Sequence, residues 1–182
     1  PASSANLGPG FDVLGMALSV HLEMGPVVDG QVPLGAKMID EYHPGNIAFR
    51  SYGGVGDVWV RSKIPMGRGL GFSGAARVAG VVTAHAQKHG SNIDALIAAR
   101  KDLLHASTQL EGHPDNVAAS LFGGVTASAS GEVVRLPLAL DPTILAWVPA
   151  TQTSTEKSRT ALAATLSLSN AVVNIGHTAL LM

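Results

Sequence analysis

A glycine-rich stretch directly before a long run of small residues constrains this chain more than any other feature. Residues 64–76 read IPMGRGLGFSGAA, and four glycines fall between Gly67 and Gly74 with Arg68 among them. Glycine adopts backbone angles that other residues avoid and leaves its N–H groups uncovered. Where such a loop opens into a helix, the N–H groups and the helix dipole both favour an anion. The stretch therefore predicts either an anion-binding loop or a flexible connector before a core helix.

Other glycine motifs fit this loop less well. It is not a Walker A loop, because no Gly-Lys-Ser/Thr follows, and the turn at Ile64-Pro65 replaces the buried strand that a dinucleotide fingerprint needs. Residues 71–75, GFSGA, are similar to the nucleophile elbow of a serine hydrolase with Ser73 as nucleophile. An elbow also follows a strand, and the triad order fails because His113 precedes Asp115. A serine hydrolase is therefore kept only as a distant alternative.

Composition limits the classes of protein to consider. The 182 residues are 46% apolar and 14% charged, which predicts one compact domain, or one and a half, with an adequate core. A net charge of −1 argues against an electrostatic nucleic-acid or membrane binder. No cysteine is present, which excludes disulfides and thiol chemistry. No apolar run approaches the ~20 residues of a membrane span, and no export signal opens the chain, so we expect a cytoplasmic protein.

Hydrophobic spacing predicts α and β elements, with the helices grouped after residue 73. The pattern indicates helices over Ser73–His89 and Ile93–Leu110, and a hairpin of Val125–Ala129 with Glu132–Leu136. The remaining predicted elements are a helix over Ile47–Tyr52 capped by Asn46, strands over Val58–Ile64 and Ile144–Val148, and a helix from Ala161 to Met182.

Polar residues concentrate at three places in this apolar chain. Residues 111–116 read EGHPDN, in which Asp115 or Asn116 is suited to cap the next helix. Glu111 lies at a helix C-terminus, where a carboxylate opposes the dipole, so a cation partner is expected. Residues 6–12 place an amide and a carboxylate around Gly-Pro-Gly, either to cap turns or to reach into one cleft. The third place is the polar segment 151–159, in which Thr155 and Arg159 are four residues apart and therefore share one helix face.

Taken together, these stretches resemble one family, the homoserine kinases of the GHMP small-molecule kinase superfamily. PASSANLGPGFDVLGMAL resembles that family's first motif. IPMGRGLGFSGAA resembles its phosphate loop, usually Pro-x-x-x-Gly-Leu-Gly-Ser-Ser-x-Ala. EGHPDNVAASLFGG and STEKSR resemble two further segments in the same order, whereas residues 21–63 fit poorly.

The resemblance implies transfer of the ATP γ-phosphoryl group to the side-chain hydroxyl of L-homoserine, with Mg²⁺, in threonine biosynthesis. The nucleotide-binding residues it implies are Pro65, Gly67, Arg68, Gly69, Leu70, Gly71, Phe72, Ser73, Gly74 and Ala75. The implied metal ligands are Ser73 and Glu111. The implied homoserine residues are Asn6, Asp12, His113, Asn116, Thr155 and Arg159, with Asn116, Arg159 and Glu111 also catalytic. Asp12 is suited to the substrate ammonium and Arg159 to its carboxylate.

The resemblance also implies how the reaction proceeds. Other kinases of the superfamily often have an aspartate base where Asn116 falls. Because an amide cannot take a proton, catalysis would rest on positioning and charge stabilisation.

The implied architecture is α+β, with two subdomains around a cleft and a mixed or antiparallel sheet. Residues 1–140 would form the N-terminal ATP-binding domain, similar to ribosomal protein S5 domain 2. Residues 141–182 would begin a ferredoxin-like C-terminal domain that is mostly missing, so we expect a truncated or incomplete chain. Family members are often dimers.

Two departures from the family pattern leave alternatives open. Phe72 stands where the family usually has the first serine of Ser-Ser, and residues 176–177, Gly-His, stand where it often has Ser-Arg. Because of Phe72 and the missing C-terminal part, a binding-only remnant of the fold is kept as an alternative. A small-molecule kinase for another substrate is kept as well.

Overall fold

Two antiparallel sheets carry the strands of this protein. The computed structural model describes residues 1–39, 46–139, 141–151 and 159–181. One sheet has four strands in the order β1-β2-β6-β7, and the other has three in the order β3-β5-β4. The strands are β1 Ala2–Ala5, β2 Leu14–Leu18, β3 Leu22–Pro26, β4 Lys37–Ile39, β5 Val58–Ser62, β6 Val125–Ala129 and β7 Glu132–Leu136. The predicted α+β class is confirmed, and every strand pairing is antiparallel among the residues described.

Helix α2 is the element on which most others pack. The helices of the described ranges are α1 Ile47–Tyr52, α2 Phe72–His89, α3 Ile93–Ala98, α4 Arg100–Glu111, α5 Asp115–Phe122 and α6 Leu168–Leu181. Helix α2 contacts α1, α4 and α5, and also β1 and β3 from the two sheets. No helix in the described part of the chain is long and apolar enough to cross a membrane.

Three apolar clusters hold α2 along its length. Val78 packs with Leu104, Val117 and Ala118, whereas Ala75 joins a second cluster with strand β1. A third cluster, centred on Ile39, Tyr52 and Val58, has Ala84 of α2 packed against it. Burial of apolar side chains is the main stabilising term in a domain of this size. Helix α2 is therefore fixed relative to both sheets.

Two glycines permit unusually close packing between elements. A Cβ atom on Gly80 of α2 would lie 2.4 Å from the carbonyl oxygen of Ala48, so α1 crosses α2 at this residue. A Cβ atom on Gly15 of β2 would lie 2.3 Å from the carbonyl oxygen of Asp115. The first turn of α5 therefore rests directly on strand β2.

Most predicted elements are confirmed. Helix α2 begins one residue before the predicted start, and both strands of the hairpin have the predicted bounds. The Asn46 side chain caps α1 by accepting hydrogen bonds from the N–H groups of Ala48 at 3.0 Å and Phe49 at 3.2 Å.

Four predictions are wrong in part or whole. The helix predicted over Ile93–Leu110 is two helices, because Ala99 leaves helical geometry at φ −82°, ψ 1°. Helix α5 has Pro114 as its N-cap, so neither Asp115 nor Asn116 caps it. No strand forms at Ile144–Val148, where the side chains are exposed and no described strand pairs with the segment. The last helix begins at Leu168, not at Ala161, and Met182 lies outside the described residues.

Candidate functional site

Most of the predicted site residues meet in one cavity of about 560 Å³. The glycine loop forms one side, and the β1–β2 turn, the α4–α5 connection and Arg159 form the others. The predicted residues that line it are Asn6, Asp12, Gly67, Arg68, Gly69, Leu70, Gly71, Phe72, Ser73, Glu111, His113, Asn116 and Arg159.

The glycine loop presents uncovered backbone to this cavity. Gly67, Gly69 and Gly71 have φ values of 67°, 75° and 63°, a region that favours glycine. Gly71 is the N-cap of α2, and no side chain caps the first N–H groups of that helix. Such N–H groups and the helix dipole favour an anion, so the geometry is compatible with the first of the two predicted roles, which stays a prediction.

Phe72 lies at the start of α2, where the predicted family pattern has a serine. Its half-buried ring packs against the cluster of Ala2, Ile64 and Ala75, and part of it lines the cavity. The ring therefore anchors the loop to strand β1 as well as facing the site.

Glu111 ends α4 and is held by two groups from α2. Ser73 donates its hydroxyl to Glu111 Oε2 over 2.6 Å, and Arg77 Nε lies 2.9 Å from the same oxygen. Only 7% of the Glu111 side chain is exposed. The sequence predicted a cation partner for this carboxylate, and Arg77 is such a partner. The Ser73 hydroxyl and the Glu111 carboxylate are hard oxygen donors, which suit Mg²⁺ when phosphates share the ion.

His113 lies between two carboxylates. Its Nδ1 is 2.7 Å from Asp115 Oδ1, and its Nε2 is 3.9 Å from Glu111 Oε1. The hydrogen bond with Asp115 raises the pKa of His113 above its ordinary value of 6.5, and burial opposes that shift. Asp115 is itself 1% exposed and also accepts a hydrogen bond from the N–H of Asn116 over 2.8 Å. The geometry favours a charged imidazolium at the cavity wall.

The side chain of Asn116 is held by a residue of strand β1. The buried Ser3 hydroxyl donates to Asn116 Oδ1 over 2.7 Å. A Cβ atom on Gly71 would lie 2.0 Å from Ser3 Oγ and 2.7 Å from Asn116 Oδ1. Glycine at position 71 therefore lets the loop pass close to this pair.

Asp12 and Arg159 form a two-pronged ion pair across the cavity. Arg159 Nη1 donates to Asp12 Oδ2 over 2.9 Å, and Nη2 donates to Oδ1 over 2.5 Å. This hydrogen bonding raises the pKa of Arg159, and its guanidinium also lies 5.3 Å from the centre of the Phe11 ring. Asn6 Oδ1 accepts from the N–H of Asp12 over 2.9 Å. Asn6 therefore caps the turn that aims Asp12 into the cavity, which combines both roles predicted for this segment.

The GHMP kinases N-terminal domain matches residues 31–124, a little more than half of this chain. The chain belongs to the GHMP kinase family. It is 36% identical to the homoserine kinase of Desulfitobacterium hafniense and 37% identical to that of Moorella thermoacetica. These alignments cover all of this chain but only 65% and 66% of those two proteins.

A solved structure shares the fold of this GHMP kinase chain. The crystal structure of homoserine kinase from Cytophaga hutchinsonii superposes with a TM-score of 0.67 at 27% identity. The match covers 98% of this chain and 63% of that one. The predicted GHMP-kinase-like fold is therefore confirmed, and the chain spans about two thirds of the length of these relatives.

Some predicted residues of this GHMP kinase chain do not line the cavity. Gly74 is buried against Asn116, and Ala75 belongs to the apolar cluster with Ala2. Pro65 precedes the part of the loop that lines the cavity, and Thr155 lies outside the described residues. The hydrolase alternative has no support at Ser73, because its hydroxyl donates to Glu111 and strand β5 ends at Ser62, so no strand runs directly into the turn at Ser73.

Sequence reasoning missed three contributors. Asp115 was interpreted only as a helix cap or a triad acid, although its place between His113 and Asn116 was a signal for the site. Arg77 lies one helical turn after Ser73, a spacing that puts both on one face of α2. Phe11 adjoins Asp12 in sequence, but its contact with Arg159 depends on the tertiary fold.

Proposed function

We propose that this chain carries the nucleotide and substrate site of an ATP-dependent kinase that phosphorylates L-homoserine on its side-chain hydroxyl, giving O-phospho-L-homoserine for threonine biosynthesis. The observation that carries the proposal is the pairing of Asp12 with Arg159 in the same cavity as the glycine loop. An α-amino acid brings one ammonium and one carboxylate group. The Asp12 carboxylate matches the first, and the flat fork of Arg159 matches the second.

The nucleotide end of the proposal is supported by the glycine loop. Residues 67–73 would bind the ATP phosphates through their backbone N–H groups at the start of α2, and the buried Gly74 and Ala75 would support the loop from behind. Pro65 would set the entry of the loop, and Arg68 would add a positive charge. Phosphoryl transfer depends mainly on such positioning and charge stabilisation.

Ser73 and Glu111 would hold Mg²⁺ together with the phosphates. Both residues line the cavity and both offer hard oxygen donors, so the donor set fits the ion. When bound there, Mg²⁺ supplies positive charge beside the β- and γ-phosphates.

The acceptor end involves Asn116 and His113, with Thr155 proposed as a further substrate contact. An amide cannot take a proton, so Asn116 would orient the substrate hydroxyl rather than act as a base. The charged form of His113, favoured by Asp115, would offset negative charge near the transferred group. We infer catalysis by positioning and electrostatics.

The division of the chain into residues 1–140 and 141–182 is proposed along with this function, and a cytoplasmic homodimer stays a prediction. Arg159 belongs to the second part and Asp12 to the first. The amino-acid end of the site would therefore lie between the two parts.

A coupled ADP-release assay tests the function. With Mg-ATP we expect turnover with homoserine to exceed that with mevalonate, galactose and shikimate. The variants Asp12→Asn and Arg159→Gln should each raise the KM for homoserine roughly ten- to hundred-fold, because hydrogen bonds between charged groups contribute about 1.5–3 kcal/mol. The KM for ATP should change little.

Glu23→Gln is a matched control, because it removes a carboxylate from an ion pair with Arg61 on the other sheet. Its KM for homoserine should equal that of the wild type. A preference for another acceptor would overturn the proposal. Calorimetry with Mg-ATP and homoserine distinguishes the binding-only alternative, which predicts heat of binding without turnover.

A further inference from the structure

We propose that Arg77 is a positioning residue that neutralises Glu111, so that a divalent cation enters the site with nucleotide phosphates and binds poorly without them. The inference rests on the metal-binding role proposed above for Glu111. Arg77 lies outside the residues that the family resemblance implies, and it would control how the metal enters the site.

The contact geometry places Arg77 behind the carboxylate. Arg77 Nε and the Ser73 hydroxyl both meet Glu111 Oε2, at 2.9 Å and 2.6 Å. Among the described residues, Glu111 lines the cavity and Arg77 does not. The guanidinium therefore approaches from the protein side, and Oε1 is left as the oxygen for a ligand in the cavity.

Burial makes this pair stronger than a surface contact. The side chains of Arg77 and Glu111 are 22% and 7% exposed, so solvent screens their attraction only partly. Glu111 also ends α4, where the helix dipole disfavours a negative charge. A buried carboxylate without a partner is strongly unfavourable. Arg77 supplies the opposing charge that the position requires.

A neutralised carboxylate is a weak ligand for a free divalent ion. The two further carboxylates beside His113 are already paired, Asp115 with the His113 ring and Asp12 with Arg159, so they add little net negative charge near Oε1. Nucleotide phosphates would bring the missing negative charge, and Mg²⁺ commonly binds through one or two protein carboxylates plus phosphates. Arg77 thus couples metal binding to nucleotide binding.

The test measures the affinity of the nucleotide-free chain for Mn²⁺. Electron paramagnetic resonance reports the concentration of free Mn²⁺ during the titration. The wild type should bind Mn²⁺ weakly. Arg77→Met should bind it on the order of ten-fold more tightly, because removing a nearby positive charge leaves Glu111 in need of a cation. Arg77→Lys keeps the charge and should behave as the wild type does.

Lys88→Met is the matched control, since it removes one exposed positive charge about 16 Å further along α2. It should leave the Mn²⁺ affinity unchanged. The double variant Arg77→Met with Glu111→Gln should not show the tighter Mn²⁺ binding that is expected of Arg77→Met alone. Unchanged or weaker Mn²⁺ binding by folded Arg77→Met would overturn the proposal, and so would an equal gain in Lys88→Met.

Circular dichroism and thermal melting check that each variant folds. If Arg77→Met does not fold, Arg77→Gln answers the same question, because it keeps an N–H donor for Glu111 without the charge. The Mn²⁺ measurement uses neither ATP nor homoserine, so its result can be interpreted even if the kinase assay shows no turnover. Conversely, tight Mn²⁺ binding by the wild type would refute the role of Arg77 even in an active kinase.

Discussion

At the scale of single residues, the amide of Asn116 has its orientation set by a neighbour. Ser3 is fully buried in β1 and donates its hydroxyl to Asn116 Oδ1. With that carbonyl oxygen engaged, the NH₂ group of the same amide is the part available to a ligand. Ser3 therefore selects which end of the Asn116 amide serves the cavity.

Replacing Ser3 with alanine should lower kcat roughly five- to ten-fold in the ADP-release assay. The reason is the loss of one hydrogen bond, which contributes about 1 kcal/mol and here orients a proposed catalytic group. Ser128→Ala is the control, because Ser128 is also buried in the same sheet and bonds a backbone oxygen of Val13. Both variants should lose some stability, but only Ser3→Ala should lose kcat. An equal fall in kcat in Ser3→Ala and Ser128→Ala would mean that Ser3 affects activity only through stability.

The pH dependence of stability should report on His113. Its pKa is raised in the folded chain by Asp115, so its charged form contributes stability that is fully present below the ordinary pKa of 6.5. That contribution is lost as the pH rises through the raised pKa. The free energy of unfolding of the wild type should therefore exceed that of His113→Asn by more at pH 6 than at pH 9.

An NMR titration of the His113 ring checks the cause of this effect. The pKa should lie above 6.5 in the wild type and should fall in Asp115→Asn, which replaces the hydrogen-bonded carboxylate with an amide. A His113 pKa at or below 6.5 in the wild type would contradict the interpretation.

At the scale of elements, the crossing of α1 and α2 depends on Gly80. A Cβ atom there would meet backbone atoms of α1 at 2.4 Å and 2.7 Å, and backbone cannot move aside as a flexible side chain can. Gly80→Ala should therefore lower the free energy of unfolding by about 1–3 kcal/mol, despite the better helix propensity of alanine. Urea denaturation measures this change.

Gly176 provides the matched comparison within another helix. A Cβ atom on Gly176 of α6 meets no atom within 4 Å, so alanine there should raise the free energy of unfolding by about 0.5–1 kcal/mol. Opposite signs for the two substitutions are the expected result. If alanine raised the free energy of unfolding equally at both positions, helices α1 and α2 could move apart at Gly80 without a cost in stability.

The elements that could be predicted from sequence are those with local signals. Helix α2 has a long apolar stripe after a glycine loop, and the β6–β7 hairpin has alternation around Ser130-Gly131. The strand predicted at Ile144–Val148 does not form. An apolar segment becomes a strand only where it pairs with another strand, and no described strand pairs with this one. The break at Ala99 had no signal, since alanine is the strongest helix former.

At the scale of the whole molecule, the order of motifs predicted the site better than the composition did. Nothing in local spacing places Asp12 beside Arg159, which is 147 residues away. The family resemblance implied that both residues belong to one substrate site, and the structure places both of them at one cavity, whereas their roles stay a prediction. Arg77 was missed because its partner Glu111 lies on another helix, and only the packing of α2 against α4 brings them together.

The Asp12–Arg159 pair has a consequence for ligands that carry a single charge. About a third of each side chain is exposed, so opening the pair costs only about 0–1 kcal/mol. A ligand with both charges replaces one ion pair with two. A simple amine or a simple carboxylic acid replaces it with one and leaves the opposite side chain without a partner. The ion pair would therefore give ligands with both charges an advantage of a few-fold over ligands with one charge, through the balance of charges rather than through the shape of the cavity.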